Sequence, residues 1–277
     1  MFPPEKILFA MDFSKPAAAM AHAVRALAKQ CGAEVQLLHA LELDPRDSCG
    51  AQMEKASQNL NSLISKELAD CNVVVYLVPG RPARTIVDVA RKTGADLIMM
   101  PTSGHGAFAR ALLGSVTARV LHDAPCPVWT SSPQKTPQAY PDHDIRSILC
   151  AVDLSSRSSL VLEAAVQAAQ LWEAQVRLIH VMEVFHSSTK TDWTRERRDE
   201  IVSAVEGQLR QLGEAAGGIP LVEVLDGSPV PKVIDAAKRF HADLIVVGRT
   251  AVVEDDADPK STAYGIIAGS HCPVLSV

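Results

Sequence analysis

Aromatic residues are scarce in this sequence, making up 4% of its 277 residues. So few rings argue against a protein that stacks nucleic-acid bases on aromatic side chains. Long hydrophobic runs are also missing, since none reaches the roughly 18 residues that a membrane-spanning helix needs. The first residues lack the basic-then-apolar pattern of a signal peptide. We therefore expect a soluble cytoplasmic protein without a membrane partner.

Cysteine is sparse as well, with six residues and no Cys-x-x-Cys pair. This usage is typical neither of a disulfide scaffold nor of a redox pair. Cys150 lies inside an apolar run at residues 148–152, where a thiol behaves as a small core hydrophobe. The net charge of −5 disfavours charge-driven binding of nucleic acid, so we expect no nucleic-acid partner.

The two halves of the chain resemble each other. The matching pairs of segments are residues 6–14 with 147–155, 95–100 with 242–247, and 126–128 with 272–274. A period of this length indicates a duplicated domain rather than a short solenoid repeat. We predict one domain at residues 1–131 and another at residues 145–277. The proline-rich residues 132–144 between them are typical of an extended linker.

Each copy alternates short apolar runs with amphipathic stretches. In the first copy the runs are residues 7–11, 35–38, 73–78, 97–100 and 128–129. They are rich in branched residues without alternation, which is typical of parallel strands covered on both faces. An apolar stripe at helical spacing starts after Pro82 and ends before Gly94. We predict an α/β fold of two tandem doubly wound domains, each a five-stranded parallel sheet with helices on both faces.

Ligands of doubly wound sheets bind at the carboxyl ends of the strands, near the point where the strand order reverses. In the first copy, Asp12 and His39-Ala40 follow the first two apolar runs, and residues 101–115 follow the fourth. This last segment holds three glycines and precedes a predicted helix, whose first turn offers unpaired amides. Ser115 can cap that helix or donate its hydroxyl to a phosphate. The segment fits either a phosphate-binding loop or a tight turn before a capped helix.

Together these features resemble the universal stress protein family over nearly all of both copies. The resemblance rests on a first strand ending in Asp, a second strand ending in His and an apolar residue, Ala-Asp-Leu-Ile before the loop, and a closing Cys-Pro-Val. Members that bind ATP carry a Gly-x-x-Gly-x(9)-Gly-Ser/Thr loop at this place. Gly104, nine residues, Gly114 and Ser115 reproduce its latter part.

The resemblance implies roles for five residues of the first copy. Asp12 lies beside the nucleotide, and Ala40 meets the base through its backbone. The phosphates are contacted by Gly104, Gly114 and Ser115. One departure is Pro101, which stands at the first glycine of the pattern and brings no N–H group.

The second copy departs further from the same pattern. Two of the three loop glycines are replaced, and four carboxylates at residues 254–258 stand where phosphates would rest. The net charge is +2 for residues 1–135 and −7 for residues 136–277. We therefore expect ATP, with or without Mg²⁺, in the first copy only.

These observations favour a stress-response protein that binds an adenine nucleotide in its first domain, with a structural or regulatory second domain. No nucleophile paired with a base is evident, so we assign no catalytic residue and expect weak ATP hydrolysis at most. No metal site is assigned. The resemblance implies that the fused domains form an internal pseudo-dimer, and it leaves a further homodimer open. The alternative hypothesis is a nucleotide-free binding or scaffold protein acting through protein contacts, with Pro101 closing the site.

Overall fold

The computed structural model describes residues 2–44, 46, 48–102, 113–131, 145–183, 195–218, 221–249 and 262–277. Contacts divide the chain into two compact units, one formed by the described part of residues 2–131 and one by that of residues 145–277. Gly104, the predicted linker and the acidic segment of the second copy lie outside the described residues. Among the helices that are described, none combines the length and apolarity needed to cross a membrane.

The first unit alternates strands with helices. Its strands are β1 (Lys6–Ala10), β2 (Glu34–Leu41), β3 (Val73–Pro79), β4 (Leu97–Met100) and β5 (Val128–Thr130). Its helices are α1 (Lys15–Cys31), α2 (Cys49–Glu67), α3 (Pro82–Thr93) and α4 (Ser115–Asp123). The strands pair in parallel in the order β3-β2-β1-β4-β5. Right-handed crossovers put α1 and α2 on one face and α3 and α4 on the other.

The second unit repeats this topology. Its strands are β6 (Ser147–Val152), β7 (Gln175–Met182), β8 (Leu221–Asp226), β9 (Leu244–Val247) and β10 (Val274–Ser276). Its helices are α5 (Ser158–Trp172), α6 (Arg195–Ala215), α7 (Pro229–Arg239) and α8 (Thr262–Gly269). Parallel pairing runs in the order β10-β9-β6-β7-β8. The prediction of two doubly wound, five-stranded parallel sheets is confirmed.

Local signals in the sequence set the ends of the helices. The Ser14 side chain caps α1 by accepting a hydrogen bond from the amide of Ala17 at 3.2 Å. Pro82 begins α3, and Gly94 ends it in the left-handed conformation with φ +66°. Both ends of α3 were predicted from these two residues.

The Asp of each Ala-Asp-Leu-Ile segment holds the beginning of a central strand. The Asp96 carboxylate accepts hydrogen bonds from the amides of Glu5 at 3.1 Å and Lys6 at 3.0 Å. Asp243 does the same at the start of β6, with distances of 2.9 and 3.0 Å. The motif therefore fastens the first strand of each sheet to the strand beside it.

Burial differs between the centre and the edge of each sheet. Ile7, Leu8 and Phe9 in β1 are completely buried, because α-helices cover both faces there. Edge strand β3 is only half-buried, and Val75 is 43% exposed. The prediction that this run is covered on both faces is wrong, since an edge strand receives less cover from the helices. Cys150 lies in the core as predicted, and its burial raises the pKa of its thiol.

Candidate functional site

The predicted site lies at the carboxyl edge of the first sheet. The strand order reverses between β1 and β4, so the chain leaves these neighbouring strands in opposite directions and opens a crevice between them. Asp12 comes two residues after the end of β1, and Thr102 comes two residues after the end of β4. Ala40 lies near the end of β2, and Ser131 follows β5. The fold thus brings these four residues to one edge.

Asp12 lies in the turn that leads from β1 into α1. Its Oδ1 atom accepts a hydrogen bond from the amide of Ser14 at 2.9 Å, and its side chain is half-buried. The intervening Phe13 has φ +59°, an uncommon conformation for a residue with a Cβ atom. This turn places the Asp12 carboxylate beside the crevice.

His39 holds the end of β2 against the same turn. Its Nδ1 atom lies 2.7 Å from the carbonyl oxygen of Met11, and its ring lies 4.6 Å from the ring of Phe13, centroid to centroid. In the second unit, Nδ1 of His180 lies 2.8 Å from the carbonyl oxygen of Val152. Both histidines therefore have the same structural role at the end of a strand.

The backbone of Ala40 faces the crevice. The carbonyl oxygen of Leu38 accepts the amide of Met11 at 2.8 Å, so the backbone of Leu38 points toward β1. Because backbone direction alternates along a strand, the amide and carbonyl groups of Ala40 point to the same side. Pairing with β1 ends at Leu38. Ala40 therefore offers a donor and an acceptor beyond the end of β1, as a contact with a base requires.

The start of α4 differs from the prediction in one respect. Gly114 occupies the N-cap position, and its amide donates to the carbonyl oxygen of Thr102 at 2.9 Å. Ser115 is the first helical residue and is exposed, and no capping hydrogen bond of its hydroxyl is found among the described residues, so the first of its two possible roles is not observed. The hydroxyl of Thr117 donates to the carbonyl oxygen of Pro101 at 3.0 Å and so connects the first turn of α4 to the segment that follows β4.

The first turn of α4 supplies donors at the crevice. The first intrahelical hydrogen bond runs from the amide of Ala118 to the carbonyl oxygen of Gly114. The amides of residues 115–117 precede it and have no acceptor within the helix. They carry the positive end of the helix dipole, which attracts anions. The Gly114 amide itself is engaged by Thr102, so the donors lie one residue further along than the resemblance implies.

Two buried hydroxyl groups at this edge were missed by sequence reasoning. Thr102 is 3% exposed and Ser131 is 4% exposed. Neither Oγ atom has a hydrogen-bond partner among the described residues. A buried hydroxyl without a partner is costly, so each is a candidate for contact with a ligand. Their only signal in the sequence is a hydroxyl residue two positions after the end of an apolar run.

The donors at this edge are neutral. Among the described residues, no group of three His, Cys, Asp or Glu side chains is arranged to hold a metal ion. Hydroxyl groups and helix amides together suit the oxygens of a phosphate group, which accept hydrogen bonds and carry negative charge.

Comparison with known proteins identifies the family. The model of the universal stress protein family matches residues 4–131 and again residues 144–277. The chain belongs to the universal stress protein family. A universal stress protein of Thermus aquaticus is 34% identical to it over 129 residues, which cover 44% of this chain and 94% of the relative.

Solved structures of universal stress proteins share the fold. The crystal structure of a universal stress protein from Archaeoglobus fulgidus aligns with 99% of this chain and 98% of its own, with a TM-score of 0.76 and 21% identity. A universal stress protein solved in complex with cAMP aligns with 49% of this chain and 98% of its own, with a TM-score of 0.41 and 19% identity.

Proposed function

We propose that this universal stress protein binds an adenine nucleotide, ATP with or without Mg²⁺, in its first domain at residues 1–131. The second domain, at residues 145–277, is structural or regulatory. The observation that carries this proposal is the buried Thr102 hydroxyl, which lacks a partner among the described residues. It belongs to the same residue whose carbonyl oxygen holds the start of α4.

The start of α4 supports a phosphate position. Amides of residues 115–117 and the exposed Ser115 hydroxyl converge on the first turn, next to the Thr102 backbone. Hydrogen bonds to a charged phosphate are stronger than those between neutral groups. Gly104 would add a donor from the loop that the sequence pattern assigns to the phosphates.

The other end of the crevice supports the position of the nucleoside. The free backbone donor and acceptor of Ala40 match the paired acceptor and donor on the edge of adenine. Asp12 presents a carboxylate, the usual partner of ribose hydroxyl groups. The charge of each half supports restriction to the first domain, because residues 1–135 carry +2 and residues 136–277 carry −7.

The proposal also covers catalysis, assembly, cellular location and nucleic-acid binding. No residue is proposed as catalytic, so hydrolysis of ATP is weak at most. The fused domains serve as an internal pseudo-dimer, and sedimentation of the purified chain will show whether it also forms a homodimer. We place the protein in the cytoplasm, without nucleic acid as a partner.

Calorimetric titration with ATP tests the proposal, using Ser115→Asp as the main variant. A carboxylate in the first turn stabilises a helix but repels phosphate. We expect this variant to bind ATP more weakly by about tenfold or more while its thermal stability is kept or raised. Ser48→Asp makes the same charge change at the exposed start of α2 and serves as the matched control.

Analysis of small molecules released by denaturing the purified protein completes the test. Nucleotide in the supernatant, together with ATP binding that Ser115→Asp weakens and Ser48→Asp does not, supports the proposal. If no nucleotide is released and ATP produces no heat, the proposal is wrong, and the alternative of a nucleotide-free binding or scaffold protein is correct. Pro101 and the engaged amide of Gly114 would then be what closes the site.

A further inference from the structure

The outer side of β3 presents backbone hydrogen-bonding groups. The carbonyl oxygen of Asn72 accepts the amide of Val35 at 2.8 Å, and the amide of Gly80 donates to the carbonyl oxygen of Leu41 at 3.0 Å. Because backbone direction alternates along a strand, the even-numbered residues of β3 bond to β2 and the odd-numbered ones face away from it. In the described part of the chain, no strand pairs with that outer side. The outward residues with both an amide and a carbonyl group are Val73, Val75 and Leu77.

This edge has few of the features that usually prevent strands of different chains from pairing. The sequence of β3, VVVYLVP, includes no charged side chain. Natural edge strands carry lysines, inward charges, prolines or bulges that block such pairing. The only proline of β3 is Pro79, at its last position, and Val75 in the middle is 43% exposed. An uncharged and exposed edge of this kind is a surface for another strand.

The corresponding edge of the second unit is protected by charge. Strand β8 holds Glu223 and Asp226. Arg239 donates to the carboxylate of Glu223 at 2.8 Å, and Arg198 donates to the carboxylate of Asp226 at 2.9 Å. A strand added to this edge would remove water from these charges, which is unfavourable. The uncharged edge is therefore particular to the first unit, and β8 is an unsuitable partner for it.

Two copies of β3 are complementary to each other in one antiparallel register. With a two-fold axis at Val75, the two Val75 residues oppose each other, and Val73 of each copy opposes Leu77 of the other. Each of these pairs brings outward amide and carbonyl groups together and so exchanges two hydrogen bonds. An axis at Tyr76 would instead oppose Val73 to Pro79, which has no amide to donate. The register at Val75 therefore uses every outward amide of the strand.

The side chains fit the same register. Val74 of each copy stands opposite Tyr76 of the other, at the positions between the hydrogen-bonded pairs. An aromatic ring opposite a β-branched side chain is a stabilising cross-strand pair. The remaining pairs join valine or leucine, so no like charges meet. These properties favour a second copy of this chain over a strand of different sequence, which would have to match both the register and the absence of charge.

We propose that this chain forms a homodimer in which β3 pairs with β3 of a second copy around a two-fold axis at Val75. The pairing joins the first sheets of the two copies into one continuous sheet. A two-fold contact of this kind is closed, so assembly stops at the dimer. Because the contact is limited to one edge strand, we expect a weak dimer with a dissociation constant in the micromolar range.

Sedimentation equilibrium of the full chain without nucleotide, from about 1 to 500 µM, tests this surface. We expect monomer and dimer in proportions that change with concentration, and no larger species. Val75→Lys opposes two like charges at the axis and should weaken the dimer by about tenfold or more. Leu221→Lys makes the same change at an exposed apolar position of β8 and should leave the dimer unchanged.

A mixture of two variants tests the register. Val75→Glu alone should dimerise as poorly as Val75→Lys, for the same reason. Mixed in equal amounts, the two variants should associate, because a lysine and a glutamate then oppose each other at the axis. Circular dichroism checks that each variant keeps the fold.

Hydrogen–deuterium exchange of the parent protein needs no variant. Peptides that cover β3 should exchange more slowly at about 500 µM than at about 5 µM, because the outward amides become bonded in the dimer. Peptides that cover β8 should exchange equally at both concentrations. This comparison decides the question even if a Val75 variant does not fold.

Four results would overturn the proposal. They are a chain that stays monomeric throughout, species larger than the dimer, a dimer that Val75→Lys does not weaken, and a dimer that Leu221→Lys weakens equally. Failure of the mixed variants to associate would refute the axis at Val75. Because ATP is absent from these measurements, their outcome is independent of nucleotide binding.

Discussion

The imidazole of His39 donates a hydrogen bond from Nδ1 to the carbonyl oxygen of Met11 over 2.7 Å. A carbonyl oxygen only accepts, so the proton must reside on Nδ1. The bond joins the end of β2 to the residue that precedes Asp12. Through this bond His39 acts as a structural brace of the candidate site.

Two substitutions of His39 should distinguish the stability contributed by its hydrogen bond from that contributed by its ring packing. His39→Ala leaves the Met11 carbonyl oxygen without this donor, and we expect a loss of about 1–3 kcal/mol in the free energy of unfolding. His39→Asn offers an amide nitrogen near the position of Nδ1 and should recover part of that loss. Urea denaturation measures both. Equal losses in the two variants would show that the ring packing against Phe13 matters instead.

Asp153 should make the stability of the second unit depend on pH. Burial alone would raise the pKa of its carboxyl group, but hydrogen bonds from Ser155 and Ser158 outweigh burial and hold the pKa below its usual value. A lowered pKa adds stability above the ordinary Asp value, and that stability is lost as the pH falls through the pKa of the folded state.

Asp153→Asn should therefore lower the melting temperature near neutral pH, and the difference from the parent protein should shrink at about pH 3. Asp235→Asn, at an exposed position of α7, is the control and should have little effect at either pH. Thermal unfolding followed by circular dichroism measures both. A difference that grows in acid would contradict the assignment.

The cysteines should differ widely in reactivity. All six are free thiols. Exposed Cys49 should be alkylated first by iodoacetamide at about pH 8, whereas burial raises the pKa of half-buried Cys31 to about 11 and should slow its reaction. Cys150 should react only after unfolding, because it is fully buried. Mass spectrometry of timed digests gives the order, and early labelling of Cys150 would refute the packing of β6.

Two glycine substitutions should have opposite effects on stability. Gly94 ends α3 with φ +66°, where a side chain is strained, so Gly94→Ala should cost about 1 kcal/mol. Gly207 lies within α6 with open space where the Cβ atom of an alanine would lie, so Gly207→Ala should add up to about 1 kcal/mol. Chemical denaturation of both variants compares them. A gain in the first would show that α3 ends elsewhere.

The fold followed from the sequence because its signals are local or repeated. Apolar runs located the central strands, and Pro82 and Gly94 bounded α3 as the structure has it. Because the two halves are similar, each signal occurs twice, and the structure repeats the matching contacts of His39 and His180. The burial of edge strand β3 was predicted wrongly, because the composition of a single run does not show how much of it neighbouring helices cover.

Less of the candidate site than of the fold could be predicted from the sequence. The N-cap of α4 falls at Gly114 rather than Ser115, and the amide of Gly114 donates to the carbonyl oxygen of Thr102, a contact that the sequence does not reveal. The missing partner of the Thr102 hydroxyl is likewise a property of packing.

The hydrogen bonds from the amides of Glu5 and Lys6 to the Asp96 carboxylate have a consequence for folding during translation. Strand β1 is placed between β2 and β4, yet β4 is translated some ninety positions later. A ribosome must therefore release most of the first unit before its earliest strand gains a second neighbour. Until then one side of β1 is open to incorrect pairing, and the similar strand β6 is translated only after β4.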